Sequence, residues 1–305
     1  MDILQIEHLS KSFGSHKVID DISFSVPKHS VFGFIGQNGA GKTTTMKMIL
    51  GLMKIDQGNI KVCDMPVSYG QTKTNEFIGY LPDVPEFYGY MTPMEYLRLC
   101  GEITGMKADV IKSKSADLLE MVGLENANKK IAGFSRGMKQ RLGIAQALLN
   151  EPKLLICDEP TSALDPLGRK EILDILYKVK GKTTVIFSTH ILSDVERICD
   201  RIVVLNQGKI ALSGTLSEIR ENHKKDELLI EFVSEAGMKE FCSIQDIPGA
   251  KEKKQVGNLV IKLNVTNVEK TMFPIMKILE EKHILISKLE VVEPNLESLF
   301  MEVVK

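Results

Sequence analysis

The segment GQNGAGKT, residues 36–43, constrains the fold more strongly than any other part of the sequence. It fits the pattern G-x-x-x-x-G-K-[ST], follows a short apolar run and precedes a helical pattern at 42–53. Gly36, Gly39 and Gly41 permit positive φ angles, so that successive backbone N–H groups can turn inward around phosphate oxygens. A helix that begins directly after the loop points the positive end of its dipole at the same place. The sequence therefore predicts a strand, a phosphate-binding loop and a helix in succession.

The side chains of this loop add a cation and a metal ligand. Lys42 can neutralise the β- and γ-phosphates of a nucleotide, and the Thr43 hydroxyl can bind Mg²⁺. The pattern therefore predicts a nucleoside triphosphate with Mg²⁺ as the bound group. The nucleotide-binding residues predicted within the loop are Gly36, Asn38, Gly39, Ala40, Gly41, Lys42, Thr43 and Thr44.

The composition is that of an ordinary globular chain. With 305 residues, of which 43% are hydrophobic and 26% charged, the chain is long enough for about two domains and a sizeable core. A net charge of −1 gives no general attraction to polyanions, so we expect no nucleic-acid partner. The five cysteines form no CxxC pair, which argues against a zinc site or a disulfide framework. Neither a signal peptide nor a stretch of roughly 20 apolar residues is present, so we expect a soluble chain.

Short apolar runs alternate with helical patterns up to about residue 218, which is typical of an α/β fold. Two of these runs are apolar enough to be buried on both faces, as the strands of a parallel sheet are. Residues 93–149 are mostly helical in pattern and interrupt the alternation. The predicted strands are 30–36, 153–160, 183–190 and 201–208, and the other predicted helices are 42–53, 169–181 and 193–200.

Three polar residues lie at the ends of predicted buried strands. In LLICDEP, Asp158 can hold Mg²⁺ through water, and Glu159 can orient or deprotonate an attacking water. In VIFSTH, His190 lies at the strand edge where open α/β sheets bind ligands, and it can donate to a γ-phosphate oxygen. Two solvated acids and a structural histidine are the alternatives at these strand ends.

A second anion site is predicted at the start of the helix in FSRGMKQRLGIAQALL, residues 134–149. Ser135 lies at the capping position, and Gly137 leaves the first turn open. Three basic residues surround this start. A hydroxyl, free N–H groups and nearby cations together favour a bound anion.

Five motifs occur in one order along the chain: GQNGAGKT, FSRGMKQRL, LLICDEP, SALD and STH. In this order they resemble the Walker A, signature, Walker B, D-loop and H-loop motifs of the nucleotide-binding subunits of ATP-binding-cassette (ABC) transporters. The resemblance covers roughly residues 1–218. It implies a P-loop NTPase cassette with a mainly parallel sheet, an antiparallel N-terminal β part and a helical subdomain at about 84–149. It also implies Mg²⁺-dependent ATP hydrolysis, with Lys42, Glu159 and His190 as catalytic residues.

The resemblance implies partners as well. Two cassettes of this family form a head-to-tail sandwich, in which the signature of one subunit caps the ATP that the other holds. Ser135 and Gly137 would then bind the γ-phosphate of the partner's ATP. Phe13 would stack on adenine, because stacking needs only a π face, and Asp165 would organise the interface. The second half of the sandwich would be another copy or a paired ATPase subunit. Transmembrane permease subunits would hold the chain at the cytoplasmic face of the cell membrane.

The sequence departs from the family pattern at two motifs. In the signature, Arg136 and Met138 replace glycine and glutamine. In the segment IGYLPDVPEFYGYMT, Asp83 occupies the position where the family has a glutamine that senses Mg²⁺ and links to the membrane subunit. An aspartate accepts hydrogen bonds but donates none, and it is one methylene shorter, yet it could still contact a metal-bound water and serve the metal site. The alternative is that Asp83 merely turns a loop.

The C-terminal part has a different pattern. A charged segment at 219–227 is predicted to be an unpatterned linker, and 228–305 a small α+β domain of β-α-β-β-α-β order. Its closing sequence EPNLESLFMEVV resembles the C-terminal extension of ATPases that serve type-2 exporters such as bacitracin-resistance-like systems. The resemblance thus implies an exporter of drug, peptide or lipid-like cargo. A packing or dimerisation role is the preferred interpretation of this domain.

Other functions remain open from the sequence. The alternatives are a soluble ABC ATPase with a non-transport role and an importer ATPase. A regulatory nucleotide-binding module is a further alternative, although the presence of Glu159 and His190 argues against it. The cargo cannot be deduced, because the membrane subunit would select it.

Overall fold

The computed structural model describes residues 2–71, 73–222, 226–292 and 296–304. It divides into two units, Met1–Leu216 with Val303–Lys305 and Ser217–Glu302. The division falls close to the predicted end of the first domain at 218. The prediction of an unpatterned linker at 219–227 is wrong for its first part, because a helix covers residues 216–222. Residues 223–225 lie outside the described part of the chain.

The first unit contains two sheets. The strands are β1 (Asp2–Phe13), β2 (His16–Pro27), β3 (Val31–Gly36), β4 (Gln57–Val62), β5 (Met65–Pro66), β6 (Ile78–Leu81), β7 (Leu154–Asp158), β8 (Thr184–Thr189), β9 (Arg201–Asn206) and β10 (Lys209–Thr215). A four-stranded sheet has the order β2-β1-β4-β5 and is antiparallel. A six-stranded sheet has the order β10-β9-β3-β8-β7-β6 and is parallel except at β10. The predicted α/β cassette with an antiparallel N-terminal part is therefore confirmed.

The helices of the first unit follow the predicted pattern. They are α1 (Lys42–Ile49), α2 (Pro93–Ile103), α3 (Ala108–Met121), α4 (Arg136–Leu148), α5 (Pro166–Val179) and α6 (Leu192–Ile198), and α7 (Leu216–Asn222) spans the division between the units. Their ends differ from prediction by up to four residues, and two of these differences have a visible cause. Helix α1 ends before 53, because Gly51 adopts φ 66°. Helix α5 begins before 169, because Asp165 caps it and Pro166 fits the first turn.

Apolar side chains hold the two sheets of the first unit together. Strands β3, β7 and β8 are buried along their whole length, as the continuous apolar runs predict. Phe24 of the antiparallel sheet stacks on Phe32 and Phe34 of β3, with ring centroids 5.6 Å apart in both pairs. Met46 of α1 is buried in the same cluster. Each such side chain contributes about 1.5–3 kcal/mol on burial, so this cluster fixes β3 and the loop that follows it.

Helix α4 lies unusually close to the edge strand β6. A Cβ atom at Gly79 would lie 2.2 Å from the carbonyl oxygen of Ala147, so only glycine allows the approach. On the same helix, a Cβ atom at Gly143 would lie 2.5 Å from a methyl group of Leu81. The start of α4 is thereby fixed relative to the loop that follows β6.

The second unit has the predicted β-α-β-β-α-β order. Its elements are β11 (Glu227–Phe232), α8 (Glu235–Ser243), β12 (Ala250–Gln255), β13 (Val260–Val265), α9 (Val268–Glu281), β14 (Ile286–Val291) and α10 (Leu296–Val304). The antiparallel sheet has the order β12-β13-β11-β14. Apolar residues of the two central strands form one core with Phe241 of α8 and Ile275 of α9.

The close approach of α4 and β6 can be tested by adding a methyl group. We expect Gly79→Ala to lower the free energy of unfolding by about 1–3 kcal/mol, because the carbonyl it meets belongs to helix backbone and cannot rotate away. Urea denaturation followed by circular dichroism measures the change. Gly181→Ala is the control, because nothing lies within 4 Å of a Cβ atom there. Equal midpoints for both variants would contradict the packing described.

Candidate functional site

Three parallel strands bring the predicted site residues to one edge of the six-stranded sheet. In the register of β3, β8 and β7, Ile35 lies beside Thr189 and Asp158 lies beside Ser188. The phosphate loop, Glu159 and His190 follow directly after these strand ends. The carboxyl edge of a parallel sheet is where open α/β folds bind ligands.

The phosphate loop has the backbone that its glycines predict. Gly39 and Gly41 adopt φ angles of 84° and 106°, and Gly41 precedes the first residue of α1. A Cβ atom at Gly41 would lie 2.4 Å from Ile19 of β2, so side-chain space is absent there as well. Lys42 is buried and curls back over the loop, where its Nζ atom donates to the carbonyls of Gly36 at 2.7 Å and Gln37 at 3.3 Å.

Asp158 is the best-connected carboxylate of the site. It is 4% exposed, and its Oδ2 atom accepts from the Thr43 hydroxyl at 2.7 Å. Its Oδ1 atom accepts from the Ser188 hydroxyl at 2.6 Å. The Ser188 oxygen in turn accepts from the backbone N–H of Glu159 at 3.0 Å. One hydroxyl thus orients both acidic residues of the LLICDEP motif.

Glu159 lies between a lysine and a histidine. Its Oε1 atom is 3.2 Å from Lys42 Nζ, and this contact is an ion pair without hydrogen-bond geometry, because Oε1 is buried with no hydrogen-bond partner. Its Oε2 atom is 3.0 Å from His190 Nδ1. The residue adopts φ 47°, an unusual conformation for glutamate that aims its side chain at the loop. Beside the site, burial and then the nearby Asp158 carboxylate raise the pKa of Tyr80 to about 12, so its phenol stays protonated.

These groups line an open cleft of about 350 Å³. The lining residues are Asn38, Gly39, Gly41, Lys42, Thr43, Thr44, Asp83, Asp158 and Glu159. Inward N–H groups and Lys42 suit the phosphates of a nucleotide, and the Thr43 hydroxyl with the Asp158 carboxylate supplies the oxygen ligands that Mg²⁺ prefers. Among the described residues there is no cluster of three or more acidic, histidine or cysteine side chains that could hold a metal alone. These protein ligands therefore fit a Mg²⁺ ion whose remaining ligands include phosphate oxygens of a nucleotide.

Asp83 reaches the cleft from the loop after β6, and α4 holds it there. Arg136 Nη2 donates to Asp83 Oδ1 at 3.1 Å, and Gln140 Nε2 donates to the Asp83 carbonyl at 2.7 Å. The structure therefore joins the two motifs that depart from the family pattern.

Other predicted residues lie outside the lining of this cleft. Ser135 caps α4, with its Oγ atom accepting from the N–H of Met138 at 3.3 Å, and Gly137 lies in the first turn. Phe13 ends β1 with 49% of its surface exposed, and Lys11 Nζ lies 5.3 Å from its ring centre. Asp165 caps α5 by accepting from the N–H of Gly168 at 3.1 Å.

Sequence reasoning missed Ser188 and a buried network. Asp194 of α6 is 3% exposed and accepts from Thr161 at 2.8 Å and from Arg169 at 2.6 Å. This network ties the chain after Glu159 to the helix after His190. The strand register is the signal that could have found Ser188, since a serine two residues before His190 lies opposite Asp158 when β7 and β8 are parallel neighbours.

No helix in the described ranges has both the length and the apolarity needed to cross a membrane.

Comparisons with known proteins identify both units. The model of the ABC transporter family matches residues 19–162. The model of the C-terminal domain of DrrA1-3-like ATP-binding proteins matches residues 214–304.

Individual proteins agree with these matches. The linearmycin resistance ATP-binding protein LnrL of Bacillus subtilis is 35% identical over 98% of this chain and 97% of its own length. The bacitracin transport ATP-binding protein BcrA of Bacillus licheniformis is 38% identical over 73% of both chains. A solved structure of the ATP-binding subunit of an ABC transporter superposes with a TM-score of 0.65 at 36% identity, over 72% of this chain and 92% of that chain.

The bridging role of Ser188 leads to a prediction about Mg²⁺. We expect Ser188→Ala to lower the Mg²⁺ affinity of the ATP-bound site by roughly 10–100-fold. The substitution removes the donor that orients the Asp158 carboxylate and the acceptor of the Glu159 N–H. Calorimetric titration of ATP at several Mg²⁺ concentrations measures this effect. Ser113→Ala makes the same chemical change at an exposed position of α3 and serves as the control. An unchanged Mg²⁺ dependence in Ser188→Ala would contradict the role given to this hydroxyl.

Proposed function

The chain belongs to the ATP-binding proteins of ABC transporters, and from this premise we propose that it hydrolyses ATP with Mg²⁺ to drive an exporter built on separate membrane subunits. The observation that carries the proposal lies at one sheet edge, where Glu159 contacts both Lys42 and His190 and Asp158 accepts from Thr43.

The phosphate loop and Lys42 would bind the β- and γ-phosphates. Lys42 Nζ is already held at the loop by two carbonyl oxygens, so its charge is placed before a nucleotide binds. Bound Mg²⁺ supplies positive charge that the transferring phosphoryl group needs. Thr43 and Asp158 would hold it, and Ser188 fixes the orientation of the Asp158 carboxylate. A metal contact through water for Asp83 stays a proposal.

Glu159 would direct the attacking water. A phosphate that binds Lys42 competes for its ammonium group, which leaves the buried Oε1 atom of Glu159 to accept a proton from water. The other carboxylate oxygen keeps its contact with His190. Because an ionised carboxylate only accepts, Nδ1 carries the proton in this contact, and Nε2 donates to a γ-phosphate oxygen only when the ring is doubly protonated.

Of the remaining predicted residues, Ser135, Gly137 and Asp165 would act between two copies of this chain, and Phe13 would act within one. Ser135 and Gly137 lie at a helix start outside the cleft of their own chain, which suits the γ-phosphate of a partner's ATP. Phe13 has an exposed ring, and its hairpin partner β2 contacts the phosphate loop at Ile19, so adenine stacking is within the reach of this hairpin. Asp165 would order the interface between the copies.

The membrane subunit would bind at the loop that follows Asp83. Val84, Tyr88 and Tyr90 are 62%, 55% and 66% exposed, and the two tyrosine rings lie 5.9 Å apart. Exposed apolar groups in one segment mark interaction surfaces. Such a contact would hold the chain on the cytoplasmic face of the membrane. The names of LnrL and BcrA support cargo of the drug or peptide kind.

The domain limits are part of this proposal. We place the ATPase domain at 1–218 and the small domain at 228–305, and the division after Leu216 supports a boundary close to 218. A packing or dimerisation role is proposed for the small domain.

Lys42 tests the phosphate site. We expect Lys42→Ala to lower ATP affinity by roughly 10–100-fold, because charge-assisted hydrogen bonds to phosphate are lost. Isothermal calorimetry measures the affinity, and Lys47→Ala, an exposed lysine of the same helix, is the control. Wild-type affinity in Lys42→Ala would contradict the phosphate site.

Glu159 tests the sandwich. Glu159→Gln keeps the shape of the side chain but removes its basicity, so we expect ATP with Mg²⁺ to hold the variant as a dimer in light scattering. The wild-type chain with ADP should remain monomeric. A Glu159→Gln chain that stays monomeric at saturating ATP would contradict the head-to-tail arrangement.

A further inference from the structure

Asp83 and Arg136 lie in different motifs, and both depart from the family pattern. The structure brings them into contact, with Arg136 Nη2 donating to Asp83 Oδ1 at 3.1 Å. Neither departure by itself suggests the other, because 53 residues separate them in the sequence. Their contact indicates that the two replacements act together.

The side chains of this pair are partly exposed to solvent, whereas the Asp83 main chain is held in place. The Asp83 main chain is anchored by Gln140, whose side chain is fully buried and donates to the Asp83 carbonyl at 2.7 Å. The Asp83 and Arg136 side chains are 47% and 41% exposed. An ion pair this exposed adds little net stability in water, so the pair can open without disturbing the loop or the helix.

Arg136 balances a cleft that is rich in carboxylates. The lining contains Asp83, Asp158 and Glu159 but one cation, Lys42. Asp158 is satisfied by two hydroxyl groups, and Glu159 lies between Lys42 and His190. Asp83 depends on Arg136, which reaches it from outside the lining.

Arg136 is also the first residue of α4 and follows the capping residue Ser135. This helix start is the segment for which we propose contact with the γ-phosphate of a partner's ATP. A guanidinium group offers five donors in a planar fork that matches phosphate oxygens, and a γ-phosphate carries more charge than one carboxylate. A phosphate that approaches the start of α4 therefore competes with Asp83 for the same side chain.

We propose that Arg136 exchanges partners: it binds Asp83 of its own chain when the chain is alone, and it binds the γ-phosphate of the partner's ATP when the sandwich forms. The proposal rests on the head-to-tail dimer of the proposed function and adds a nucleotide-binding residue to it. Asp83 then acts as a positioning residue. It binds the Arg136 side chain in the isolated chain and so competes with the γ-phosphate, which weakens dimer formation.

The test measures the ATP-dependent dimerisation constant of full-length Glu159→Gln protein by sedimentation equilibrium with ATP and Mg²⁺. Adding Asp83→Asn should tighten the dimer by about 2–5-fold, because an exposed ionic competitor is removed. Adding Arg136→Ala should weaken it by roughly 10–100-fold, because charge-assisted hydrogen bonds to phosphate are lost. Arg136→Lys keeps the charge without the planar fork of donors, so its dimerisation constant should lie between those of the parent and of Arg136→Ala.

Combining both changes tests whether Asp83 acts through Arg136. With Arg136→Ala present, Asp83→Asn should have no further effect on dimerisation. Arg98→Ala is the control, because it breaks an exposed ion pair with Glu102 in the same helical region and should leave the dimer unchanged. Thermal unfolding midpoints close to that of the parent confirm that each variant is folded.

The outcomes separate this inference from the function on which it rests. A Glu159→Gln parent that forms no dimer with ATP contradicts the sandwich and the exchange together. A parent that dimerises while Asp83→Asn weakens or leaves unchanged the dimer contradicts the exchange alone. So does Arg136→Ala with parental affinity, or an Asp83→Asn effect that persists in the Arg136→Ala background.

Discussion

The hydrogen bond between the Thr43 hydroxyl and the Asp158 carboxylate joins the phosphate loop to the end of a different strand, at 2.7 Å. Asp158 ends β7, whereas Thr43 lies in α1 after β3, and β8 lies between these two strands. Ser188 of β8 fills the gap by donating to the other oxygen of Asp158. Because side chains alternate between the faces of a strand, a slip of one residue in any of the three strands would separate these groups. The site therefore depends on the parallel register of the central sheet.

Local patterns made most of the fold and the cleft predictable. The glycines of the loop encode positive φ, and the apolar runs that end at Asp158 and His190 encode buried strands, so these residues could be placed at one edge before any coordinates. The pairing of Asp83 with Arg136 could not be predicted in this way. It arises because α4 packs closely on β6, and these elements are far apart in the sequence. Nor could the helix at 216–222 be predicted, since its charged sequence has no clear apolar period.

The charges of the cleft fit the proposal that a single chain is incomplete for phosphoryl transfer. Glu159, the proposed base, forms an ion pair with Lys42, and Arg136 is held by Asp83. Both cations are thus bound to carboxylates of their own chain. A bound nucleotide would draw Lys42 away from Glu159, and the start of α4 on a second chain would complete the cage around the γ-phosphate. In this arrangement, substrate binding and dimer formation each free one charged group for the reaction.

Complementation between two inactive variants tests the shared site most directly. Lys42→Ala disables the phosphate loop of its chain, and Ser135→Ala disables the helix cap that would reach the partner's ATP. In a mixed dimer, the intact loop of the Ser135→Ala chain faces the intact signature of the Lys42→Ala chain, so one complete site forms. ATP hydrolysis should therefore be nearly absent in each variant alone and return in an equal mixture. A mixture as inactive as its separate components would contradict a site built from two copies of this chain.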